Sequence, residues 1–379
     1  MKILLAPDSF KGSLSSEKIV SIMEKKVLEV FPKCEVIKVP IADGGEGTVE
    51  KLVKITSGSI HTIEVLNPLF QPINAAYGIL NKDTAIIEMA AASGLTRIDA
   101  AEGNACITTT FGTGQLIKDA LDKGYKNIVV AIGGSATNDG GIGALCALGV
   151  KFLDGNKKEL KPIGKNLIKI EEIDLSGMHQ GIKDTAFTVM CDVNNPFIGA
   201  RGATYMYGPQ KGANDSQLVE LEAGMNHLAS LILKNMGKDI RYVKGAGAAG
   251  GLGGALYAFL KANLKSGIDT ILDTIGFDKL IEDVDVIITG EGRIDEQSAC
   301  GKVLTGIGNR AKTHEIPVIA IAGSIGYGAE QVYEQGISAI VPTVNHPMSL
   351  DEALIHAEDL LNNAVELVCR VLKIGFGMK

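Results

Sequence analysis

Short apolar runs and amphipathic stretches alternate along much of this 379-residue chain. "KILLAP" opens it and, after a polar glycine turn, gives way to "SEKIVSIMEKKVLEVF", whose apolar positions recur at helical spacing. Ser13, Ser15 and Ser16 are each available as the N-cap of that helix. "CEVIKVPI" then leads through a glycine turn into "GTVEKLVKI", and "NIVVAIGG" leads through another into "IGALCALG". Near the end, "DVDVIITGEG" and "PVIAIAGS" repeat the strand and the glycine turn. Continuous apolar strands alternating with helices predict an α/β fold, a parallel sheet covered by helices. Ligands of such sheets bind beyond the carboxyl ends of the strands, where these glycine turns fall.

Two regions depart from this rhythm. Residues 59–90, "SIHTIEVLNPLFQPINAAYGILNKDTAIIEMA", alternate apolar and polar positions around Asn-Pro and Gln-Pro turns, which predicts antiparallel strands. Residues 151–245 mix a hairpin pattern ("VKFLDGNKKEL", Asp-Gly as the turn), a strand pattern ("AFTVMCDV") and a long loop. The expected organisation is a discontinuous Rossmann-like parallel-sheet domain (1–58, 104–150 and 281–379) and an inserted mixed α/β domain (59–103 and 151–280).

Composition narrows the class. Glycine, 46 of 379 residues, exceeds the usual share and clusters in the turns without a period. A net charge of −7 offers no basic surface to nucleic acid. No apolar run is long enough to span a membrane, and the N-terminal apolar stretch is too short for a signal peptide. Six scattered cysteines form no CxxC pair, which points to reduced thiols rather than a zinc ribbon or a disulfide framework. These features suggest a cytoplasmic globular protein, with a homo-oligomer left open.

Familiar catalytic motifs are missing: there is no GxxxxGK[ST] and no HExxH. "GAGAAG" at 245–250 matches GxGxxG, but a dinucleotide site also needs a following strand that ends in an acid. Asp269 has roughly the right spacing, yet "SGIDTILDTIGF" around it has a helical pattern. What the chain does hold is acids in glycine turns: Asp8 with Lys11, Asp43 with Glu46, Asn138 with Asp139, Asp192, and Glu291 with Arg293 and Asp295. Such carboxylates suit Mg²⁺ or a base, glycine N–H groups suit phosphates, and Lys11, Lys211 and Arg293 suit phosphoryl oxygens. Taken singly, each has a plainer reading: Asp8 as a helix cap, Lys11 as a solvated side chain, Asp139 and Asp192 as turn residues, and Arg293 with Asp295 as a surface pair. The six histidines share no spacing and are read as non-catalytic.

Taken together and in order, "DSFKGS" (8–13), "ADGGEGT" (42–48), "GGSATNDGGIG" (133–143), "CDVNNPFIGARGATYMYGPQKGA" (191–213), "GAGAAGGLG" (245–253), "ITGEGRIDEQSACGK" (288–302) and "AGS" (322–324) resemble the bacterial glycerate kinase family of the first type. The resemblance covers residues 1 to about 345. It implies phosphoryl transfer from ATP, with Mg²⁺, to D-glycerate, with 2-phosphoglycerate as the associated product, in a cleft between two unlike α/β domains.

Residue roles are an expectation separate from the family resemblance. Asp192 first, and Asp43 second, would orient or deprotonate the attacking hydroxyl, while Lys11 and Arg293 stabilise phosphoryl charge. Glu291 and Asp295 would hold Mg²⁺ directly or through water. Asp8, Gly44, Gly45 and Glu46, with Arg201 or Lys211 for the carboxylate, would bind glycerate. Gly133, Gly134, Ser135, Asn138, Asp139, Gly247, Gly250 and Gly251 would line nucleotide or anion sites. Alternatives are phosphorylation at C3, a nucleotide-dependent hydroxyacid enzyme resting on GAGAAG, and a small-anion binding protein that leaves ATP intact.

Overall fold

The computed structural model describes residues 1–41, 47–299 and 303–377. Its strands, in chain order, are β1 (Lys2–Pro7), β2 (Glu35–Lys38), β3 (Ser59–Leu66), β4 (Pro72–Asn81), β5 (Thr84–Glu88), β6 (Asn127–Ala131), β7 (Lys151–Leu153), β8 (Glu172–Asp174), β9 (Ala186–Met190), β10 (Asn263–Lys265), β11 (Val286–Ile294), β12 (Val318–Ile325) and β13 (Ala339–Pro342). The chain forms two compact units, Met1–Asp43 with Ile268–Lys379, and Gly44–Gly267.

The first unit holds a five-stranded, all-parallel sheet in the order β13-β12-β11-β1-β2. Both of its faces are covered, which explains why its strands read as unbroken apolar runs. Because side chains alternate along a strand, Leu4, Ala6 and Ile287 pack on one face with Ile268, Leu272, Phe277 and Leu304. Ile3, Leu5, Val286 and Ile288 pack on the other face with the helices Ser16–Val30 and Ala357–Gly375. Ser15 is the cap of the first of these, accepting from Lys18 N. From β1 the chain adds β2 on one side, then returns to add β11 on the other. Strand order therefore reverses between β1 and β11, and the crevice at their carboxyl ends is the place where ligands of such sheets bind.

The second unit holds a six-stranded mixed sheet, β10-β9-β6-β5-β4-β3. As expected from the alternating pattern of 59–90, β3, β4 and β5 form an antiparallel meander. Parallel pairs join β5 to β6, β6 to β9, and β9 to β10. β7 pairs with β8, not with the segment just after the Asp-Gly turn, which closes only an isolated bridge between Leu153 and Glu159.

The division of the chain differs from the expected one. Residues 104–150, assigned in advance to the first domain, lie in the second unit because β6 pairs with β5 and β9. Residues 47–58 go with them, and 268–280 go to the first unit, where Ile268, Leu272 and Phe277 join its core.

Candidate functional site

At the switch point of the first sheet, β1 and β11 run in parallel register up to Pro7 and Gly290. The next residue on each strand is an acid: Asp8, buried, and Glu291, buried. Asp8 N donates to Gly290 O (2.9 Å), and Ser9 N (2.6 Å) and Ser9 Oγ (3.3 Å) donate to its Oδ1. Glu291 Oε1 accepts from Ser298 Oγ. Lys11 is exposed at the tip of a closed turn in which Phe10 N and Leu14 N donate to Leu14 O and Phe10 O, and Gly12 adopts φ +78°. That turn lies against β11: a Cβ on Gly292 would stand 3.3 Å from Phe10 Cα and 3.4 Å from Lys11 N. Arg293, with 68% of its side chain exposed, pairs through Nε with Asp295 Oδ2 at 3.0 Å. The other Asp295 oxygen accepts Gln297 N at 3.0 Å. Five predicted site residues thus gather on β1, β11 and the turns that follow them.

In the second unit, the carboxyl end of β6 opens into Gly133 and Gly134, both exposed. A Cβ on Gly133 would meet nothing within 4 Å, so the backbone there is open to a ligand. The rest of this loop turns inward: Ser135, Asn138 and Asp139 are buried. Asp139 Oδ2 accepts from Thr110 N (2.7 Å), Thr110 Oγ1 (2.8 Å), Gly143 N (3.2 Å) and Thr109 Oγ1 (3.5 Å), and its Oδ1 accepts from Gly141 N (3.0 Å). Burial pushes its carboxyl up, while the Thr110 and glycine donors pull it down. With every donor internal, Asp139 acts as the clamp of its own loop.

Asp192 is exposed just beyond β9, and its Oδ1 accepts Gly267 N at 2.7 Å at the start of the helix Gly267–Thr274. Arg201 is exposed, and its guanidinium makes no ion pair with a carboxylate among the described residues. Lys211 is buried, donates from Nζ to Thr137 O at 2.7 Å, and is pushed down to about 7 by burial against the raising effect of Asp139. Gly247, Gly250 and Gly251 pack directly on backbone: their Cβ positions would fall 2.1 Å from Pro196 O, 2.0 Å from Thr137 O and 2.8 Å from Gly140 Cα. Gly250 and Gly251 also adopt φ +64° and +96°. Close packing alone demands glycine here, so GAGAAG loses its value as a dinucleotide signature.

Asp43, Gly44, Gly45 and Glu46 lie outside the described residues. Three participants were not anticipated. Glu88, at the end of β5, accepts Val49 N (2.9 Å) and caps the helix Thr48–Ile55 with a carboxylate. Ser298 donates to Glu291, and the run Thr108–Thr110, wholly buried, supplies donors to Asp139. The triple threonine just before "FGTG" was the available signal; Glu88 and Ser298 had none.

Among the described residues no group of three His, Cys, Asp or Glu is placed to hold a metal ion. Magnesium needs no such cage, since it takes one or two carboxylates and completes its shell with water and phosphate oxygens. Asp295 does not fit as a direct ligand, because Arg293 and Gln297 N engage both its oxygens. Glu291, a buried carboxylate at the switch point, fits. No helix among the described residues is long and apolar enough to cross a membrane.

Comparison with known proteins agrees with this architecture. The model of the glycerate kinase family matches residues 3–373. A glycerate kinase of Bacillus cereus is 46% identical over 99% of both chains, and the glycerate 2-kinase of Escherichia coli is 45% identical over 99% of both. A crystal structure from Salmonella typhimurium LT2, described provisionally as glycerate kinase 2, superposes with a TM-score of 0.87 at 40% identity and covers both chains completely. The chain belongs to the glycerate kinase family, and it is a kinase.

Proposed function

We propose that this kinase transfers the γ-phosphoryl group of ATP to the C2 hydroxyl of D-glycerate, giving 2-phosphoglycerate and ADP. The observation that carries the reading is the near-complete match to a family whose Escherichia coli member is named a glycerate 2-kinase. Two buried carboxylates at the switch point of the first sheet support it, because that is where an α/β sheet binds its ligand.

In the reaction, the acceptor oxygen forms a bond to phosphorus, the bond from phosphorus to the ADP oxygen breaks, and the hydroxyl proton passes to a carboxylate. Little covalent chemistry falls to the protein, so positioning and charge stabilisation dominate. Asp192 and Asp43 remain our candidates to orient or deprotonate the hydroxyl. Asp192 Oδ1 accepts Gly267 N. Lys11 and Arg293 supply cationic charge to the phosphoryl oxygens, and Arg201 is our choice for the glycerate carboxylate, with Asp8 on its hydroxyls. The open Gly133–Gly134 turn offers backbone N–H groups to the nucleotide phosphates. Magnesium bound with ATP would neutralise phosphate charge, and Glu291 is the residue to hold it. We assign the activity to the cytoplasm.

The test is an ADP-release assay with D-glycerate followed by phosphorus NMR of the product. ADP formation with a C2 phosphate supports the proposal, and a C3 phosphate corrects its regiochemistry. Glycerate binding without ADP formation refutes it in favour of a binding protein.

A further inference from the structure

The loop between β6 and the helix Ile142–Ala147 is open outside and tied down within. Ala136 N donates to Ser93 O (3.0 Å), Thr108 Oγ1 donates to Ala136 O (2.9 Å), Asn138 Nδ2 donates to Thr204 Oγ1 (3.2 Å) and Gly140 N donates to Gly250 O (2.9 Å). Thr137 O has one donor among the described residues, Lys211 Nζ, and Lys211 is only 2% exposed. Beside it, Thr137 Oγ1 and Asn138 Oδ1 are buried with no partner. Burying an amine beside unpartnered oxygens costs free energy that an apolar side chain would not. Lys211 is itself held in place: it ends a short turn, Pro209–Lys211, closed by Gly212, whose Cβ position lies 2.1 Å from Gly103 O.

We infer that Lys211 is a positioning residue for phosphoryl transfer: by holding the Thr137 carbonyl it fixes the inner half of the loop and so aims the open Gly133–Gly134 turn, without touching glycerate itself. This rests on the reading of that turn as a nucleotide-phosphate site. It replaces the expectation that Lys211 binds the glycerate carboxylate, because a buried amine bonded to a main-chain carbonyl presents nothing to solvent.

The experiment compares Lys211→Met, Lys211→Arg and Thr204→Val, the last cutting the Asn138 tie while leaving Lys211 intact. In steady-state kinetics, Lys211→Met raises KM for ATP by roughly tenfold, as expected when a buried carbonyl loses its donor, and leaves KM for glycerate within about twofold. Lys211→Arg recovers most of the loss, and Thr204→Val shows a milder ATP-side effect. Hydrogen exchange of the ligand-free proteins shows peptides of 133–143 exchanging faster in Lys211→Met and Thr204→Val, with the other unit unchanged. A defect confined to glycerate KM overturns the inference, as does exchange that rises uniformly over the second unit. Where Lys211→Met does not fold, Thr204→Val decides: wild-type ATP kinetics with unchanged loop exchange refutes the positioning role. If the wild type forms no ADP with glycerate, the functional reading fails, while loop exchange still upholds or overturns the structural half of the inference.

Discussion

Asp139→Asn separates two descriptions of the loop clamp. The substitution keeps the shape and replaces one carboxylate oxygen by an amide NH₂. The amide oxygen would take the Oδ2 place, where four donors converge, so the NH₂ group must face Gly141 N, which now donates to Oδ1 at 3.0 Å. One hydrogen bond to a charged acceptor is lost, about 1.5–3 kcal/mol, and two buried donors confront each other, about 1–3 kcal/mol. Relief from burying a charge offsets part of this, leaving a net destabilisation of about 3 kcal/mol. A protein of two units does not unfold as one transition, so the assay is a urea titration read by hydrogen-exchange mass spectrometry, which follows peptides of 133–147 separately. If Asp139→Asn stays within about 0.5 kcal/mol of wild type, the carboxyl is protonated in the folded protein and the clamp is not anionic.

Three further outcomes follow from the same geometry. Gly250→Ala, which drives a methyl to 2.0 Å from Thr137 O at φ +64°, should cost at least about 2 kcal/mol in urea titration, whereas Gly133→Ala should leave stability within about 0.5 kcal/mol and act only on KM for ATP. The Lys211 amine, lowered from 10.5 to about 7, is protonated more readily in the unfolded chain, so its linked stability is present at high pH and is lost as pH falls through about 7. Wild-type stability should therefore rise between pH 7 and 9, by at most about 1.4 kcal/mol per unit, and Lys211→Met should lack the rise; the groups facing the amine are Asp139, whose upward shift works in the opposite sense, and the Tyr207 ring. Arg310 bonds the carboxylates of Asp273 and Asp278 and lies near that of Asp269, so Arg310→Met should destabilise the first unit by about 1–2 kcal/mol, less at high salt; no change at low salt would refute it.

Much of the fold was legible because the pattern of burial is written in the strands. "KILLAP" and "VIIT" are apolar throughout since both faces of their sheet are covered, and 59–90 alternates since its strands form an antiparallel meander. Sheet membership was not legible. "NIVVA" has the same local character as "VIIT", and only pairing with β5 and β9 assigns it to the second sheet. The strand order that makes β1 and β11 a switch point depends on a return across 240 and more residues, which no local pattern encodes. Lys211 was misleading for a related reason: "YGPQKGAN" has the composition of a solvated loop, yet the lysine within it is buried under Thr137.

The acids in glycine turns are a single pattern in sequence and two kinds of object in space. Asp139 meets five donors, four on one oxygen, in a fully buried setting; such a carboxylate is spent on three backbone N–H groups and two threonine hydroxyls and has little left for a substrate. Asp295 is likewise committed, to Arg293 and Gln297 N. Asp8 and Glu291 stand at the switch point, and each accepts from a serine hydroxyl, Ser9 and Ser298, as Asp139 does from Thr109 and Thr110. A hydroxyl rotates and can equally accept, so Ser298 can yield Glu291 to a magnesium ion or a substrate hydroxyl, whereas Asp8 also holds Ser9 N at 2.6 Å. Asp192 holds Gly267 N on its Oδ1. Asp192→Asn should therefore weaken the start of the 267–274 helix by about 1 kcal/mol whatever its role, and only a loss of kcat far beyond that would make it the base.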